Sequence, residues 1–326
     1  MSTIVSIIIP THGLHQYTSQ CLESIASSTR VGYEILLVDS SKDDLTSDLA
    51  TRWGAKLIKT DRRTFAEKNN LGYSVARGDV ICMANNDVVF SRGWDDTVAA
   101  LENENIGAVG MLNNCVPIID PRNGNYINKN WEHSQKFYSS DFNAFAGFYP
   151  SGLDVFSSEI STGGLEIIKS PPFHVAGFMC MFRKNVIKKI GGQFMDDRFV
   201  NDGEDWDFCI RLVERGFDLA INNGAYIHHY KNSTFRLMGV DFHSANRTLY
   251  NKSLLLKLHP QYFSEYFSNH TPSKFDAVFN TDPNSSPSMM RFVDSGMVKN
   301  KEIDWDFVNS ISVSRGDLLK EFYKCA

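Results

Sequence analysis

The stretch 80-VICMANNDVVF-90 decides the fold. Its first five residues are all apolar, the pattern of a short strand buried on both faces. The run ends in Asn85-Asn86-Asp87, and a second apolar patch follows at once. Buried polar groups are costly unless something satisfies them. Three carboxamide or carboxylate side chains at the end of a core strand therefore need partners. A polar turn is one reading, because Asn and Asp favour turns. A cation site is the other. A hard divalent ion takes oxygen ligands, keeps several for water and substrate phosphates, and needs one or two from the protein. Taken alone, the three residues are weak evidence for either.

Outward from this stretch the first third of the chain alternates. VSIIIP (5–10) reads as a β-branched strand stopped by Pro10. Residues 15–28 have helical spacing, with Tyr17, Cys21, Leu22 and Ile25 on one face. EILLVDSS (34–41) reads as a second buried strand, 43–53 as a helix and AKLIKT (55–60) as a short strand. FAEKNNLGYSVARG (65–78) reads as a helix ended by Gly78. Apolar strands separated by helices imply an α/β fold with a parallel sheet covered on both faces. Ligands of such sheets sit outside the carboxyl ends of the strands. Three strand ends then share one edge: Pro10-Thr11-His12, Val38-Asp39-Ser40 and Asn85-Asn86-Asp87.

The region from about 113 to 172 is rich in Asn, Gly, Ser and aromatics, with weak periodicity. It reads as long loops and short elements, which in a compact domain are usually functional. FHVAGFMCMFRKNVIKKIGG (173–192) reads as a strand, a turn and a helix closed by Gly191-Gly192. An acidic loop then runs into a helix, and 217–230 reads as two more short strands. Helical spacing returns after about 241. A Ser/Pro/Asn-rich linker (269–288) and a tail with at least one helix follow.

Two more clusters carry chemistry. In 203-GEDWDFCIRL-212, Glu204, Asp205 and Asp207 crowd a helix start. Carboxylates there complement the helix dipole, but three within four residues exceed what capping needs. One with a raised pKa would serve as a general base. Residues two apart on a helix point to nearly opposite sides, so Asp205 and Asp207 cannot both face one ligand. In 225-AYIHHY-230 the alternation of a strand sends His228 and His229 to opposite faces. One can join the core and the other face a site.

Composition bounds the rest. With 326 residues, 42% hydrophobic and 22% charged, the chain is an ordinary globular protein. A formal charge of −5 argues against a polyanion as main partner. The N-terminus lacks a signal-peptide pattern, and no run approaches the roughly 20 apolar residues of a membrane span. Six scattered cysteines without a C-x-x-C pair read as reduced thiols. These features lead to a cytoplasmic expectation, with a peripheral place at a membrane open through Phe and Tyr of 137–149.

VSIIIPTHG, the Asp39 that ends ILLVD, FAEKNNLGYSVARGD leading into NND, AGFMCMFRKNVIKKIGG, GEDWDFCIRLVERGF and AYIHH occur in one order. In that order and spacing they resemble the family-2 inverting glycosyltransferases of the GT-A fold, over about residues 4–255. The resemblance implies a Rossmann-like, mostly parallel sheet flanked by helices. It implies a catalytic domain over 1–255, with a nucleotide-binding half (1–112) and an acceptor-binding half (113–255). A mainly helical extension, 256–326, lies outside it; its many aromatics are expected to pack on the catalytic domain or on a second subunit.

The resemblance also implies roles. NND resembles a variant of the family's D-x-D motif, with Asn85 in place of the first aspartate. Asp87 and His229 are implied ligands of Mn2+ or Mg2+. Asp39 is implied to accept from the N3–H of a pyrimidine nucleotide. Pro10, Thr11, His12, Asn70, Asn85, Asn86 and Trp206 are implied donor-binding residues. Asp205 is the implied catalytic base and Glu204 the runner-up. The implied partners are a nucleotide-sugar donor and a hydroxyl acceptor, most simply a glycan, with protein or nucleic acid as alternatives. The basic pieces 183-RKNVIKK-189 and 61-DRR-63 would serve the last, although a solvated helix face is the plainer meaning of 183–189. Two other readings compete. One is a nucleotide-sugar-binding homologue without turnover. The other is a nucleotidyltransferase, which the non-basic Thr11-His12-Gly13-Leu14 turn disfavours.

Overall fold

The computed structural model describes residues 4–62, 64–114, 142–146, 149–161, 164–168, 175–231, 233–239, 244–269 and 295–323. Most of the loop-rich region expected over about 113–172, most of the expected linker, Cys115 and Cys325 lie outside these residues.

The elements run β1 (Ile4–Thr11), α1 (His15–Ser28), β2 (Gly32–Asp39), α2 (Leu45–Trp53), β3 (Lys56–Lys59), α3 (Phe65–Val75), β4 (Val80–Ala84) and β5 (Val88–Phe90). Then come α4 (Thr97–Ala100), β6 (Ile106–Asn113), α5 (Phe142–Ala146), α6 (Ser151–Ile160), β7 (Leu165–Ile168), β8 (Met179–Arg183) and α7 (Val186–Lys189). The chain continues through α8 (Glu204–Glu214), β9 (Asp218–His229), α9 (Ser233–Met238), α10 (Ala245–Leu258) and α11 (Pro260–Asn269). A small ribbon of β10 (Val298–Lys299) and β11 (Glu302–Ile303) precedes α12 (Trp305–Ser310) and α13 (Arg315–Tyr323).

The fold is α/β, built on one sheet ordered β3-β2-β1-β4-β8-β6-β9-β5, with β7 beside β9. The first half is parallel, as the alternating sequence predicts. The second half is mixed. β8 runs antiparallel to β4, and β5 and β7 run antiparallel to β9, while β6 and β9 are parallel. The reason is covalent reach. Only Asn85, Asn86 and Asp87 separate β4 from β5, far short of the dozen or so residues a parallel crossover requires. The NND turn therefore sends the chain out of the parallel order and across to β9.

The strand alternation of β1 divides the core. Val5, Ile7 and Ile9 join Cys21, Leu22 and Ile25 of α1 on one face. Ile8 joins Leu36, Val38, Met83 and residues of α7 and α8 on the other. Each such fully buried aliphatic side chain is worth about 1.5–3 kcal/mol, which is why these strands need no polar face.

Several sequence expectations change in detail. α3 stops at Val75 rather than at Gly78. Gly78 answers a different need: a Cβ there would lie 2.5 Å from the Ile4 carbonyl and 2.7 Å from the Ser6 nitrogen, so glycine permits the close approach to β1. Within the region expected as long loops and short elements, residues 151–160 form α6, with Leu153, Phe156 and Ile160 inward. The two short strands expected over 217–230 are one strand, β9. Its register against β6 jumps from Met111↔Asn222 to Leu112↔Tyr226. Asn222 stabilises that bulge, accepting from Gly224 N at 2.9 Å and donating to Thr97 Oγ1 at 2.8 Å.

The C-terminal part packs on α8. Phe199, Trp206 and Ile210 form one buried cluster with Leu255, Leu256, Phe263, Tyr266, Phe267, Met297 and Val308. α10 runs continuously through residue 255. Among the described residues no helix is long and apolar enough to cross a membrane.

Candidate functional site

The ends of β1 and β2 build the first part of the site. Their register pairs Thr11 with Asp39. Asp39 is wholly buried. Its Oδ1 accepts from Thr11 Oγ1 at 3.0 Å, Ser41 N at 3.0 Å and Ser41 Oγ at 2.7 Å. Lys59 Nζ lies 3.0 Å from Oδ2. Burial pushes this carboxyl up, but the bonds from Ser41, Lys59 and Thr11 prevail and hold it below the usual carboxylate range. His12 Nδ1 lies 3.1 Å from Ser40 Oγ, and Pro10 pairs with Val38 inside the sheet.

β4 delivers the second part. His229 Nε2 lies 3.1 Å from Asp87 Oδ1 and 3.4 Å from Asn85 Nδ2. β5 and β9 make the meeting obligatory, since Val88 pairs with His229 in register. Burial pushes the Asp87 carboxyl up, and the imidazole of His229 with hydrogen bonds from Ser233 brings it below the ordinary value. Asn86 points elsewhere, its amide donating to Thr18 Oγ1 at 2.9 Å. His228 takes the opposite face of β9 and stacks on Phe145 at 3.8 Å between ring centres.

The start of α8 supplies the third part. Asp205 Oδ2 accepts from Gly177 N at 2.9 Å and Oδ1 from Trp206 N at 2.9 Å. Asp207 turns the other way, onto Arg211 at 2.8 Å and His259 at 3.0 Å. Glu204 is buried, and one of its oxygens, Oε2, has no hydrogen-bond partner among the described residues. Burial, then the charge of Asp205, pushes its carboxyl up to about 8.

A connector missed in the sequence joins the second and third parts. Gly177 holds Asp205, and the ring of the next residue, Phe178, stacks on His229 at 4.4 Å. The Phe178 carbonyl also accepts from Asn85 N at 2.9 Å. The signal lay in the Ala-Gly-Phe before β8. A Cβ on residue 177 would stand 3.1 Å from Asp205 Cβ, so only glycine allows the contact without a shift.

Two expected donor residues are engaged inside the protein. The Asn70 amide donates to Met195 O at 2.8 Å and accepts from Met195 N at 2.9 Å. The Trp206 ring lies in the cluster against α10, with Lys252 Nζ 5.3 Å from its centre. Two cations of the basic segment 183–189 are engaged within the protein. Arg183 is spent on the carbonyls of Leu101, Asn103, Glu104 and Ile106, and Lys184 on that of Ala76; Arg63 lies outside the described residues. Phe142 and Phe145, considered for a membrane surface, pack inward on Tyr17, His228 and Tyr230.

Asp87 and His229 form a donor set suited to a divalent ion: one carboxylate oxygen and one imidazole nitrogen face each other across a narrow gap. Among the described residues no group of three or more His, Cys, Asp or Glu converges on a point. An ion here would fill its shell from phosphate and water.

Comparison with known proteins agrees with this architecture. GalNAc-T7, solved with UDP, GalNAc and Mn2+, superposes with a TM-score of 0.55 at 14% identity, over 96% of this chain and 58% of that one. Glycosyltransferase GlyG of Streptococcus pneumoniae serotype 4 is 25% identical over 104 residues, 30% of this chain and 35% of that protein. A dolichyl N-acetyl-alpha-D-glucosaminyl phosphate 3-beta-D-2,3-diacetamido-2,3-dideoxy-beta-D-glucuronosyltransferase of Methanococcus voltae is 22% identical over 248 residues, 71% of this chain and 68% of that one. The chain thus spans about a third of the pneumococcal relative's length. The sequence profile of Glycosyl transferase family 2 matches residues 6–191, more than half of the chain. The chain belongs to glycosyl transferase family 2.

Proposed function

We propose that the protein is a metal-dependent, inverting glycosyltransferase that moves a sugar from a UDP- or dTDP-linked donor to a hydroxyl acceptor. The observation that carries this is the connector at Gly177-Phe178. It fastens the Asp205 carboxylate and the Asp87–His229 pair to consecutive residues, so a proton acceptor and a diphosphate site face one reaction centre.

Asp39 accepts from the N3–H of uracil or thymine, with Pro10, Thr11 and His12 framing base and ribose. Lys59 is the group the base displaces; its ammonium also donates to the carbonyl oxygens of Ser41 and Asp43 and keeps those bonds. Asp87 and His229, with Asn85 beside them, hold Mn2+ or Mg2+. When bound, such an ion neutralises the charge that builds on the departing diphosphate. Asp205 takes the proton of the attacking hydroxyl on the face opposite the leaving group, and one displacement inverts the anomeric centre. Asp205 is taken as the base ahead of Glu204 because its carboxylate is fastened at Gly177, next to the residue that stacks on His229, whereas Glu204 is buried. The acceptor is a glycan hydroxyl. The name of the archaeal relative, a glucuronosyltransferase, is consistent with sugar transfer. Residues 1–255 carry the catalysis, and the described part of the C-terminal extension, packed on Trp206 and Ile210, shapes the acceptor side.

A donor panel tests the reading. Nucleotide-sugars with Mn2+ are screened by thermal shift, and the best is followed for hydrolysis and for the anomeric configuration of the product. Preference for a UDP- or dTDP-sugar over ADP-sugars, with slow Mn2+-dependent hydrolysis, supports it. Donor binding without any turnover would leave a nucleotide-sugar-binding homologue.

A further inference from the structure

Lys68 is a buried charge that the mechanism above does not use. It lies on α3, and its Nζ donates to the Thr11 carbonyl at 3.2 Å and to Ser40 Oγ at 3.3 Å. Both acceptors are neutral. Among the described residues no ion pair joins Lys68 to a carboxylate. An ammonium has three N–H donors, so these two bonds leave one over. The acidic groups that face it are already engaged. Asp39 pairs with Lys59 at 3.0 Å, and Glu67 with Arg315 at 2.7 Å. Each of the two carboxylates whose charge reaches Lys68 is thus paired with another cation. A buried cation without its own anion is costly, and a bound anion would remove that cost.

The sheet order says which anion. β1 stands between β2, which carries Asp39, and β4, which leads into Asp87. A donor with its base at Asp39 and its diphosphate at Asp87 must cross the end of β1. Lys68 Nζ is fixed at that crossing by its bond to Thr11.

We propose that Lys68 is a metal-independent anchor for the nucleotide donor, its ammonium holding the phosphate next to the ribose at the β1–β2 junction. The assignment rests on the donor reading above. It separates two tasks: Lys68 binds the nucleotide, and the ion at Asp87 serves the departing phosphate. Burial also pulls the Lys68 ammonium down to about 8, against the charges of Asp39 and Glu67. Lys59 faces the same carboxylate from β3, and His12 reaches Lys68 through Ser40. Lys68→Arg, which keeps the charge at high pH, isolates the lysine from these neighbours.

The test uses UDP and uridine as probes, by calorimetry on the full chain in EDTA. UDP is expected to bind at least about tenfold tighter than uridine near pH 7. Phosphate ionisation is largely complete there, and the uracil N3–H, which ionises toward the top of the range, is common to both probes, so the UDP-to-uridine ratio reports on the protein. The UDP-to-uridine ratio is expected to fall several-fold from about pH 7 to about pH 9.5. Lys68→Gln should bring the ratio close to one while uridine affinity stays within about threefold. Lys68→Arg should keep the ratio and abolish its fall with pH. Equal losses for UDP and uridine in Lys68→Gln mark a purely structural lysine and overturn the proposal. So does a flat wild-type ratio across the pH range, which decides the matter even if Lys68→Gln does not fold. Failure of UDP to bind wild-type protein, with or without Mn2+, overturns the donor reading together with the anchor.

Discussion

The amide nitrogen of Gly177 lies 2.9 Å from Oδ2 of Asp205. This contact turns the carboxylate at the tip of α8 toward the strand ends, and residue 177 permits it by having no side chain. A Cβ would stand 3.3 Å from the same Oδ2. Gly177→Ala is therefore expected to rotate Asp205 and leave the core intact. Misplacement of a reacting group by about 1 Å can cost 10²-fold, so kcat should drop by about 10- to 100-fold. The melting temperature should move by only a few degrees. Calorimetry beside steady-state kinetics checks both; native kcat would detach Gly177 from catalysis.

Asp205→Asn keeps the shape and loses the base. General-base catalysis is worth about 10²–10⁴ in rate, and a fall in kcat of that size with an unchanged donor Kd is expected. Glu204→Gln should retain most of kcat. The reverse pattern would move the base to Glu204.

Asp87→Ala removes the carboxylate that faces His229 at 3.1 Å. Transfer should be abolished, and EDTA should do the same to the native protein. Mn2+ or Mg2+ added after EDTA should restore native activity but not that of the variant. Full turnover in EDTA would refute the ion-holding role of both residues.

Glu204 should also shape stability against pH. Its folded value, about 8, lies above the ordinary carboxylate value of about 4.3. A raised folded pKa means the unfolded chain releases the proton first. The stabilisation is therefore complete below about pH 4.3 and is lost as pH rises through about 8. Glu204→Gln should flatten this slope in denaturant titrations and be more stable than native protein at pH 8 and above. An unchanged slope would show that Glu204 does not cause it.

His259 joins the C-terminal helices to α8, with Nε2 3.0 Å from Asp207 Oδ1 and Nδ1 3.2 Å from Glu214 Oε1. Burial lowers its pKa, but the bonds to Asp207 and Glu214 outweigh it and leave the value raised. The sign matches that of Glu204: the stabilisation is full below about pH 6.5 and fades as pH climbs through the raised value. His259→Gln should lose this component. A chain ending at 256 should aggregate, because Phe199, Trp206 and Ile210 lose their cover. A soluble, fully active truncation would contradict this.

Much of this arrangement was legible in the sequence. β1, α1, β2 and β4 follow from continuous apolar runs and clean helical spacing, and their shared edge follows from parallel topology. The mixed half was not legible. Pairings such as β4 with β8 join residues about a hundred positions apart, and periodicity is blind to partners. Asp87, His229 and Asp205 were pointed to by the family resemblance, since residue type alone left the choice among Glu204, Asp205 and Asp207 open. The burial of Trp206 and the clamp of Asn70 on Met195 could not be read there, since both depend on elements brought up from far along the chain. Lys68 was hidden for the opposite reason: a lysine on a helix reads as solvated until its burial is seen.

The bulged strand β9 has a kinetic consequence. It is hydrogen-bonded to β6 and β7 along its first part and to β5 at its end, so its amides should exchange with solvent among the slowest in the molecule. His229 is its last residue and inherits that protection, with its own amide held by Asn114 Oδ1 at 2.8 Å. Isotope exchange at this end of the sheet should thus be nearly the same with and without nucleotide. The imidazole is in position before any ligand arrives.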